Sequence, residues 1–354
     1  MNSCSIYRIA AAAGRRMFFL LACVAAAVSV LSCEKNTLPS GKEDRTGVIF
    51  LVGGSKTRAG VTDHESDLRS IDFKAFHLPE GSLVAGRRVQ EKDSIHVSLP
   101  AGKTVRYRVV TNTPAEAFAD ATTEAHFLAK NILLSYGNGN SIPMYGVGEI
   151  SVTNEQSEPV SIVADRYFSK VSLGTVRLNW LSSFSTMPDI HIGRVILVNV
   201  VGSIPANAIP TDAPAQWYNR RGVESLAGVP TDYLLQDYSA ASIPASGVIA
   251  IDCSLYCCPN PSDNDVDSWN DGGSWSPRPT RLAVEVVVNG ESNWYPVTIK
   301  DMRCNRHYKV TELVLNGPGS DSPDKPVKRD SMSFRIDIED WADSNATMNF
   351  PADE

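Results

Sequence analysis

The apolar positions near the start of the chain form one uninterrupted run. Residues 48–52 read Val-Ile-Phe-Leu-Val, and two glycines follow directly. A short apolar run that ends in turn residues is typical of a strand with both faces buried. The sequence therefore predicts a fully buried first strand that carries Val48, Phe50 and Val52.

The segment after this run has the opposite character. Residues 55–60 read Ser-Lys-Thr-Arg-Ala-Gly, which is small, polar and basic. Such a composition favours an exposed loop that a protease can reach. A trypsin-like protease would cut between Arg58 and Ala59, and the first strand could then leave an apolar groove behind it.

Apolar and polar residues alternate in many later segments, as they do in half-buried antiparallel strands. The first group of predicted strands comprises residues 70–77, 94–100, 105–112, 148–153 and 157–164. The second group comprises residues 171–178, 190–201, 247–251, 282–289, 295–299, 308–315 and 332–338. Residues 202–243 have only weak periodicity. Many short strands indicate an all-β protein, and 354 residues are enough for two tandem β-sandwiches.

One segment between the strands has helical spacing. Phe118, Ala121, Ala125, Leu128 and Ile132 recur at three or four residue intervals after a proline. This period predicts a single helix over residues 114–134.

The last strand follows a linker, residues 316–326, that is rich in proline and glycine. In this strand Met332, Phe334, Ile336 and Ile338 alternate with polar residues. It could be an edge strand that closes the second sandwich, or it could pair outside its own subunit. The residues alone favour the edge strand.

The N-terminal residues have the pattern of an export signal. Arginines precede an apolar run that begins at Met17 and ends in Leu-Ser-Cys at Cys33. The run is too short for a membrane-spanning helix, and its end resembles a bacterial lipobox in which Cys33 receives lipid. The alternative is an ordinary signal peptide with an incidental Cys33, and the true start is either Met1 or Met17. Both interpretations predict export to an oxidising compartment, the first with a lipid tether to the outer membrane.

Composition and charge exclude one class of partner. The formal net charge is −7, and basic residues occur only in short pairs such as Arg87-Arg88 and Arg220-Arg221. Nucleic-acid binding needs clustered Lys and Arg that displace counterions. We therefore expect no nucleic-acid partner.

The cysteines beyond the signal are Cys253, Cys257, Cys258 and Cys304. They allow three pairings, but adjacent Cys257 and Cys258 cannot bond each other without strain. Two longer-range disulfides or free thiols are both open, and the spacing does not match a zinc site. No nucleophile elbow, phosphate loop or paired histidines are found. We therefore expect no catalytic residues, no metal and no cofactor, and a hydrolase is the weakest hypothesis.

Several stretches together resemble the FimA-like fimbrillin family of type V pili. They are Cys33 with the strand that follows it, Thr-Arg-Ala-Gly at 57–60, Arg-Tyr-Arg-Val-Val-Thr-Asn at 106–112, Ile-Pro-Met-Tyr-Gly at 142–146, Tyr-Cys-Cys-Pro-Asn at 256–260, and Arg-Cys-Asn-Arg-His-Tyr-Lys-Val at 303–310 with the linker and Trp341 after it. The resemblance spans nearly the whole chain and is most specific at its two ends.

The resemblance implies two tandem transthyretin-like β-sandwiches made as a lipoprotein precursor. It divides the chain into a signal peptide (1–32), a propeptide with the first strand (33–58), an N-terminal sandwich (59–170), a C-terminal sandwich (171–327) and a donor-strand segment (328–354). An Arg-specific protease would remove the propeptide with its lipid. The groove left by Val48, Phe50 and Val52 would then accept Met332, Phe334, Ile336 and Ile338 of another pilus subunit. The product would be an extracellular fimbrium that adheres to a host or bacterial surface ligand.

A second hypothesis places the protein in another class. A permanently anchored outer-membrane lipoprotein, either a pilus anchor or a glycan-binding module, would keep Cys33 and its first strand. The glycan-binding form would use Trp217, Tyr218, Trp269 and Trp275. Aromatic side chains exposed for stacking on sugar would support it, and aromatic side chains buried in the sandwiches would count against it.

Overall fold

A computed structural model of the chain describes residues 44–54, 65, 67–137, 141–154, 158–180, 186, 188–211, 213–222, 231–263, 275–328 and 330–341. All of them belong to one compact unit, residues 38–354. Its strands are β1 (Arg45–Gly54), β2 (Ser70–His77), β3 (Leu83–Gln90), β4 (Ser94–Pro100), β5 (Thr104–Thr111), β6 (Asn131–Leu133), β7 (Met144–Ser151), β8 (Val160–Arg166), β9 (Ser169–Leu178), β10 (Ile190–Val198), β11 (Val200–Val201), β12 (Ser203–Pro205), β13 (Trp217–Tyr218), β14 (Leu235–Ser242), β15 (Val248–Cys257), β16 (Arg281–Val288), β17 (Glu291–Thr298), β18 (Arg306–Leu315) and β19 (Met332–Asp340). The α-helices in the described residues are α1 (Glu124–Leu128) and α2 (Thr231–Leu234), so the all-β prediction is confirmed. No helix in this part of the chain has the length and apolar character needed to cross a membrane.

The first half of the fold is a seven-stranded sheet in the order β3-β2-β5-β7-β8-β1-β4. Only two residue pairs, Met144 with Arg166 and Tyr145 with Asp165, join β7 to β8. The strands on both sides of this short ladder contribute to one apolar core. The sheet therefore bends at the ladder, so that its two parts face each other. The inward residues of β1, β2 and β5 lie at the centre of that core.

The second half consists of two four-stranded sheets, β14-β10-β16-β17 and β15-β9-β18-β19. They share a second core, to which each sheet contributes alternate residues such as Ile192 and Val284 from one and Leu255 and Val310 from the other. Two sheets that bury their apolar faces against each other form a β-sandwich. Most of the predicted strands are present within a few residues of their predicted bounds.

The predicted helix over residues 114–134 is wrong for most of its length. Residues 115–120 form turns, only α1 is α-helical, and β6 then pairs with β12. The hydroxyl of Thr123 accepts the backbone N–H of His126 at 3.1 Å, so the helix starts there and not near Pro114. Phe118 and Ile132 are buried as expected, but they pack against the second core as parts of separate elements.

Two of the strands that were not predicted, β3 and β14, have no clear apolar alternation; the short strands β6, β12 and β13 were not predicted either. In β3, Arg87 donates to the backbone carbonyl of His96 in β4. The next residue, Arg88, lies opposite Asp72 of β2 and forms an ion pair with it. A cross-strand charge pair stabilises this ladder in addition to the apolar contacts of Val84. The other strand, β14, lies in the stretch of weak periodicity and pairs with β10.

Candidate functional site

The first strand occupies an interior position in its sheet. It runs antiparallel to β4, with Phe50 opposite Ile95, and parallel to β8, with Phe50 opposite Val160. A strand paired on both sides leaves two unpaired edges when it is removed. Withdrawal of β1 would therefore open a slot between β4 and β8 that is lined by backbone hydrogen-bonding groups.

The side chains of β1 alternate between the core and a partly covered face. Val48, Phe50 and Val52 are buried, and Phe50 has no exposed surface. Ile49 and Leu51 are only half-buried, so the prediction that both faces of this strand are buried is wrong. In the described part of the chain, the face of β1 away from the core is therefore only partly covered.

The last strand lies at the edge of its sheet. β19 pairs antiparallel with β18, with Met332 opposite Leu315 and Ile338 opposite Tyr308. The edge-strand interpretation that the residues favoured is therefore what the structure shows within one chain. The other edge of β19 has no strand beside it in the described part of the fold.

The four apolar side chains of β19 are poorly covered for their size. Phe334 is 44% exposed and Ile338 is 60% exposed, whereas Met332 and Ile336 are partly buried against the second core. Large apolar side chains exposed in a row on an edge strand are unusual in a soluble protein, because edges of this kind pair with other chains.

The linker before β19 is fastened to the second sandwich. The backbone N–H and C=O of Ser320 both bond to Trp294 at 2.9 Å. Asp324 has no exposed surface, accepts Nδ2 of Asn199 at 2.6 Å and lies 3.1 Å from Arg278 Nη1 and 3.5 Å from Arg281 Nη1. Burial raises the pKa of Asp324, although the two arginines and Asn199 act against that shift. Residues 320–324 of the predicted linker are therefore fixed to the second sandwich.

The buried carboxylate of Glu65 connects the segment before β2 to Trp341 near the C-terminus. Glu65 lies between β1 and β2 and is 3% exposed. Its Oε1 accepts Lys170 Nζ at 2.7 Å and the Tyr256 hydroxyl at 2.6 Å, and its Oε2 accepts Nε1 of Trp341 at 2.9 Å. Its backbone carbonyl accepts Arg166 Nε at 3.1 Å.

The charge state of this carboxyl follows from its partners. Burial by itself would raise the pKa of Glu65, but the charge of Lys170 and the hydrogen bonds from Lys170, Tyr256 and Trp341 outweigh burial and lower that pKa. Glu65 is therefore ionised at neutral pH. Sequence reasoning missed it, because its partners are about 100 or more residues away in the chain.

The four cysteines are free thiols in the structure, so the disulfides that the sequence left open are not formed. Cys253 and Cys257 point into the core from the same face of β15, and Cys304 is the only one of the four with more than slight exposure. Burial raises the pKa of Cys253, Cys257 and Cys304 to about 12. Such thiols stay protonated at neutral pH and react slowly.

One of the four aromatic residues considered for glycan binding, Trp217, lines a cavity. Trp217 and Trp275 are half-buried and meet edge to face with centroids 5.0 Å apart, whereas Tyr218 is buried. A cavity of about 400 Å³ is lined by Thr211, Trp217, Asn260, Pro261, Ser262, Asp263, Ser276 and Pro277. Trp269 lies outside the described residues. The burial of Tyr218 counts against a role for that residue on a sugar.

Three residues of the predicted processing sites also lie outside the described residues: Cys33, Arg58 and Ala59. The lipid site and the protease site therefore stay predictions. The described chain does place the strand before the predicted cut, β1, between β4 and β8, and it places the carboxylate after the cut, Glu65, in contact with residues of β8, β9 and β15.

Comparison with solved structures places the fold among bacterial surface proteins. A proposed cell adhesion protein of Bacteroides eggerthii superposes with a TM-score of 0.64 at 17% identity, over 86% of this chain and 98% of that one. The fimbrilin FimA of Porphyromonas gingivalis superposes with a TM-score of 0.58 at 14% identity, over 84% of this chain and 97% of that one. A proposed cell adhesion protein of Parabacteroides distasonis gives 0.57 at 12%, over 85% and 100%.

No protein-family model and no curated protein sequence matches the chain. At these identities the structural similarity establishes the fold. The chain has the fimbrillin-like all-β fold over nearly its whole described length, which confirms at the level of fold the resemblance that the sequence motifs indicated.

Proposed function

We propose that the protein is a subunit of a cell-surface pilus that polymerises by strand exchange after cleavage at Arg58. The proposal rests on the presence of two strands in one chain: β1, an interior strand next to the predicted cut, and β19, a poorly covered edge strand at the other end. Fimbrilin and proposed cell adhesion proteins share the fold over most of their length, which supports a role in a fimbrium at the cell surface.

The side-chain patterns of the two strands are compatible. β1 puts Val48, Phe50 and Val52 into the core at every second position. In β19 every second position from Met332 to Ile338 is apolar. Because alternate residues of a strand lie about 6.6–7 Å apart on one face, the later strand can fill the pockets that the earlier one leaves.

Exchange of this kind combines main-chain and side-chain recognition. The edges of β4 and β8 would bond to the incoming backbone, and the apolar pockets would select its side chains. The donor and the groove belong to different ends of the chain, so each subunit can receive one strand and give another. Such a head-to-tail contact does not close on itself and produces a filament.

The localisation follows the same sequence of steps. The lipidated precursor, attached through Cys33, would sit at the outer membrane, and removal of residues 33–58 by an Arg-specific protease would free the subunit for the extracellular fimbrium. The partners are other pilus subunits, that protease, and a surface ligand of the finished fimbrium. No enzymatic activity is proposed.

The experiment is limited digestion of the full-length precursor with an Arg-specific protease, followed by intact mass and a native gel. We expect a cut after Arg58 and a ladder of oligomers. Arg58→Lys keeps the charge but removes the protease site, so it should give neither the cut nor the ladder. Deletion of residues 328–354 should permit the cut and abolish the ladder.

Two results contradict the proposal in different ways. A clean cut after Arg58 without oligomers contradicts polymerisation by this chain. Resistance at Arg58 in the native protein, with β1 retained, favours a permanently anchored subunit.

A second candidate function is glycan binding at the cavity beside Trp217. A half-buried aromatic face next to Ser262 and Asp263 combines a stacking surface with hydroxyl and carboxylate groups, which suits a sugar. Titration of the protein's tryptophan fluorescence with oligosaccharides tests it. Trp217→Ala should abolish the response and Tyr218→Phe should retain it, whereas the same response in both variants assigns binding elsewhere.

A further inference from the structure

We propose that Glu65 is a latch that keeps β19 attached to its own subunit, and that the cut at Arg58 weakens this latch. The coupling to cleavage rests on the proposed function above. The latch itself is a property of the uncut chain and can be measured there.

The latch closes on Trp341, the residue that directly follows β19. Trp341 is 2% exposed, and its Nε1 donates to Glu65 at 2.9 Å. Its ring stacks on Tyr256 with centroids 5.6 Å apart, and the guanidinium of Arg166 lies 4.9 Å from its centroid. Its backbone N–H donates to Asn305 O at 2.9 Å.

The side chains of β19 are less buried than Trp341, although the backbone of the strand pairs with β18. Phe334 and Ile338 are largely exposed, and none of the four apolar side chains is fully buried. The outer edge of the strand is unpaired in the described fold. The buried Trp341 contacts therefore hold the C-terminal end of a strand that its own subunit otherwise holds mainly through the backbone ladder with β18.

The other end of the segment has a fixed point. Asp324 is enclosed by Arg278, Arg281 and Asn199, and a carboxylate enclosed in this way does not leave its site cheaply. The eight residues 325–332 connect Asp324 to the start of β19, and an extended chain of that length reaches roughly 26–29 Å. β19 can therefore swing outward about the Asp324 site once Trp341 is released and the ladder with β18 opens.

Cleavage at Arg58 would change the conformational freedom of Glu65. In the uncut chain it lies between two ordered strands, since β1 ends at Gly54 and β2 starts at Ser70. After cleavage at Arg58 and loss of β1, Glu65 belongs to a chain end that is tethered only through β2. Ordering a free end costs more conformational entropy than ordering a closed loop. Opening of the groove and loosening of the donor strand thus follow from one cut.

The test is hydrogen exchange of the full, uncut chain, read in the peptide that covers residues 332–341. We expect Glu65→Gln to raise the exchange rate of this peptide about tenfold or more, because hydrogen bonds to a charged acceptor are lost. The matched control is Glu285→Gln, which removes a carboxylate that is also buried and bonded to Arg194 and Ser292 but lies in the other sheet. It should leave the β19 peptide unchanged.

A second variant separates the latch from general destabilisation, because Glu65→Gln also deprives the buried Lys170 of its partner. Trp341→Phe keeps the Glu65–Lys170 pair and an aromatic ring at this position, but removes the indole N–H and the second ring that packs on Tyr256 and Arg166. A rise confined to residues 332–341 in Trp341→Phe supports the latch, and no rise there overturns it. In the natural chain, cleavage at Arg58 in dilute monomer should raise the same peptide's exchange, whereas protease-treated Arg58→Lys should not.

The outcomes distinguish this inference from the proposed function. A ladder from the cut natural chain, together with unchanged exchange in Glu65→Gln and Trp341→Phe, overturns the latch and leaves polymerisation standing. Faster β19 exchange in both variants, with no ladder after the cut, overturns polymerisation and leaves the latch standing.

Discussion

The rings of Phe50 and Phe73 lie 4.6 Å apart, centroid to centroid, and connect β1 to β2. Tyr107 of β5 completes the cluster, 5.2 Å from Phe50 and 6.2 Å from Phe73. β1 thus supplies the central ring of an aromatic cluster whose other two members belong to β2 and β5. In the proposed strand exchange, a replacement strand would have to fill the space of that ring.

Phe50→Ala should lower the free energy of unfolding of the uncut chain by about 3–5 kcal/mol, because it leaves a cavity in a fully buried site. Urea unfolding followed by circular dichroism measures the change. Ile49→Ala, on the half-buried face of the same strand, should cost clearly less. Equal costs at the two positions would contradict the orientation of β1 described here.

Phe334→Asp and Ile338→Asp should separate assembly from stability. Both side chains are largely exposed in the single chain, so each change should alter the free energy of unfolding by less than about 1 kcal/mol. Each should nevertheless abolish the oligomer ladder, because a carboxylate would enter an apolar pocket. The native gel after cleavage is the measurement.

The control for these variants is Val147→Asp, which changes an apolar residue of β7 that is 52% exposed. It should leave both the unfolding midpoint and the ladder unchanged. Loss of the ladder in this variant as well would attribute the effect to surface charge and not to the donor strand.

Asp324→Asn should lower the free energy of unfolding by about 3–5 kcal/mol, since it leaves Arg278 and Arg281 buried without their carboxylate. Asp321→Asn is the comparison, because Asp321 forms an exposed pair with Lys325, and it should change the same quantity by less than about 0.5 kcal/mol. Both are read from urea unfolding midpoints. Similar small effects would show that the linker is not anchored at Asp324.

Acid sensitivity should depend on His307. Burial lowers its pKa to about 4, and Lys170 and Lys309 act in the same direction while Glu65 opposes them. Between pH 6.5 and about 4 the unfolded chain therefore binds a proton that the folded chain does not. Stability should fall as the pH falls through this window, by up to about 1.4 kcal/mol per pH unit.

His307→Gln should remove this slope, and the ring's partner, the Ser172 hydroxyl at 2.7 Å, can bond to the amide instead. The measurement is the unfolding free energy of both proteins from pH 7 to 4. Asp72, whose burial raises its pKa to about 6, acts with the opposite sign over part of the range, so the difference between the two curves is the relevant quantity. Parallel curves would contradict the assignment to His307.

The sequence by itself determined the fold class and most of the strands, because apolar alternation records which face of a strand is buried. Residues 70–77 and 94–100 were predicted with the bounds that β2 and β4 have in the structure. It failed at residues 114–134, where apolar spacing matched a helix although Phe118, Ala121 and Ile132 reach the second core from separate short elements. It also failed at β3, where the Asp72–Arg88 pair replaces an apolar signal.

Only the tertiary structure decided which residues meet across the chain. The alternation of Met332 to Ile338 predicted a strand, but its exposure at an edge depends on where the opposing sheet ends. Glu65 and Trp341 are 276 residues apart and share a hydrogen bond of 2.9 Å. A single buried carboxylate leaves no periodic pattern in a sequence, because its partners are set by how β9, β15 and β19 come together and not by its neighbours along the chain.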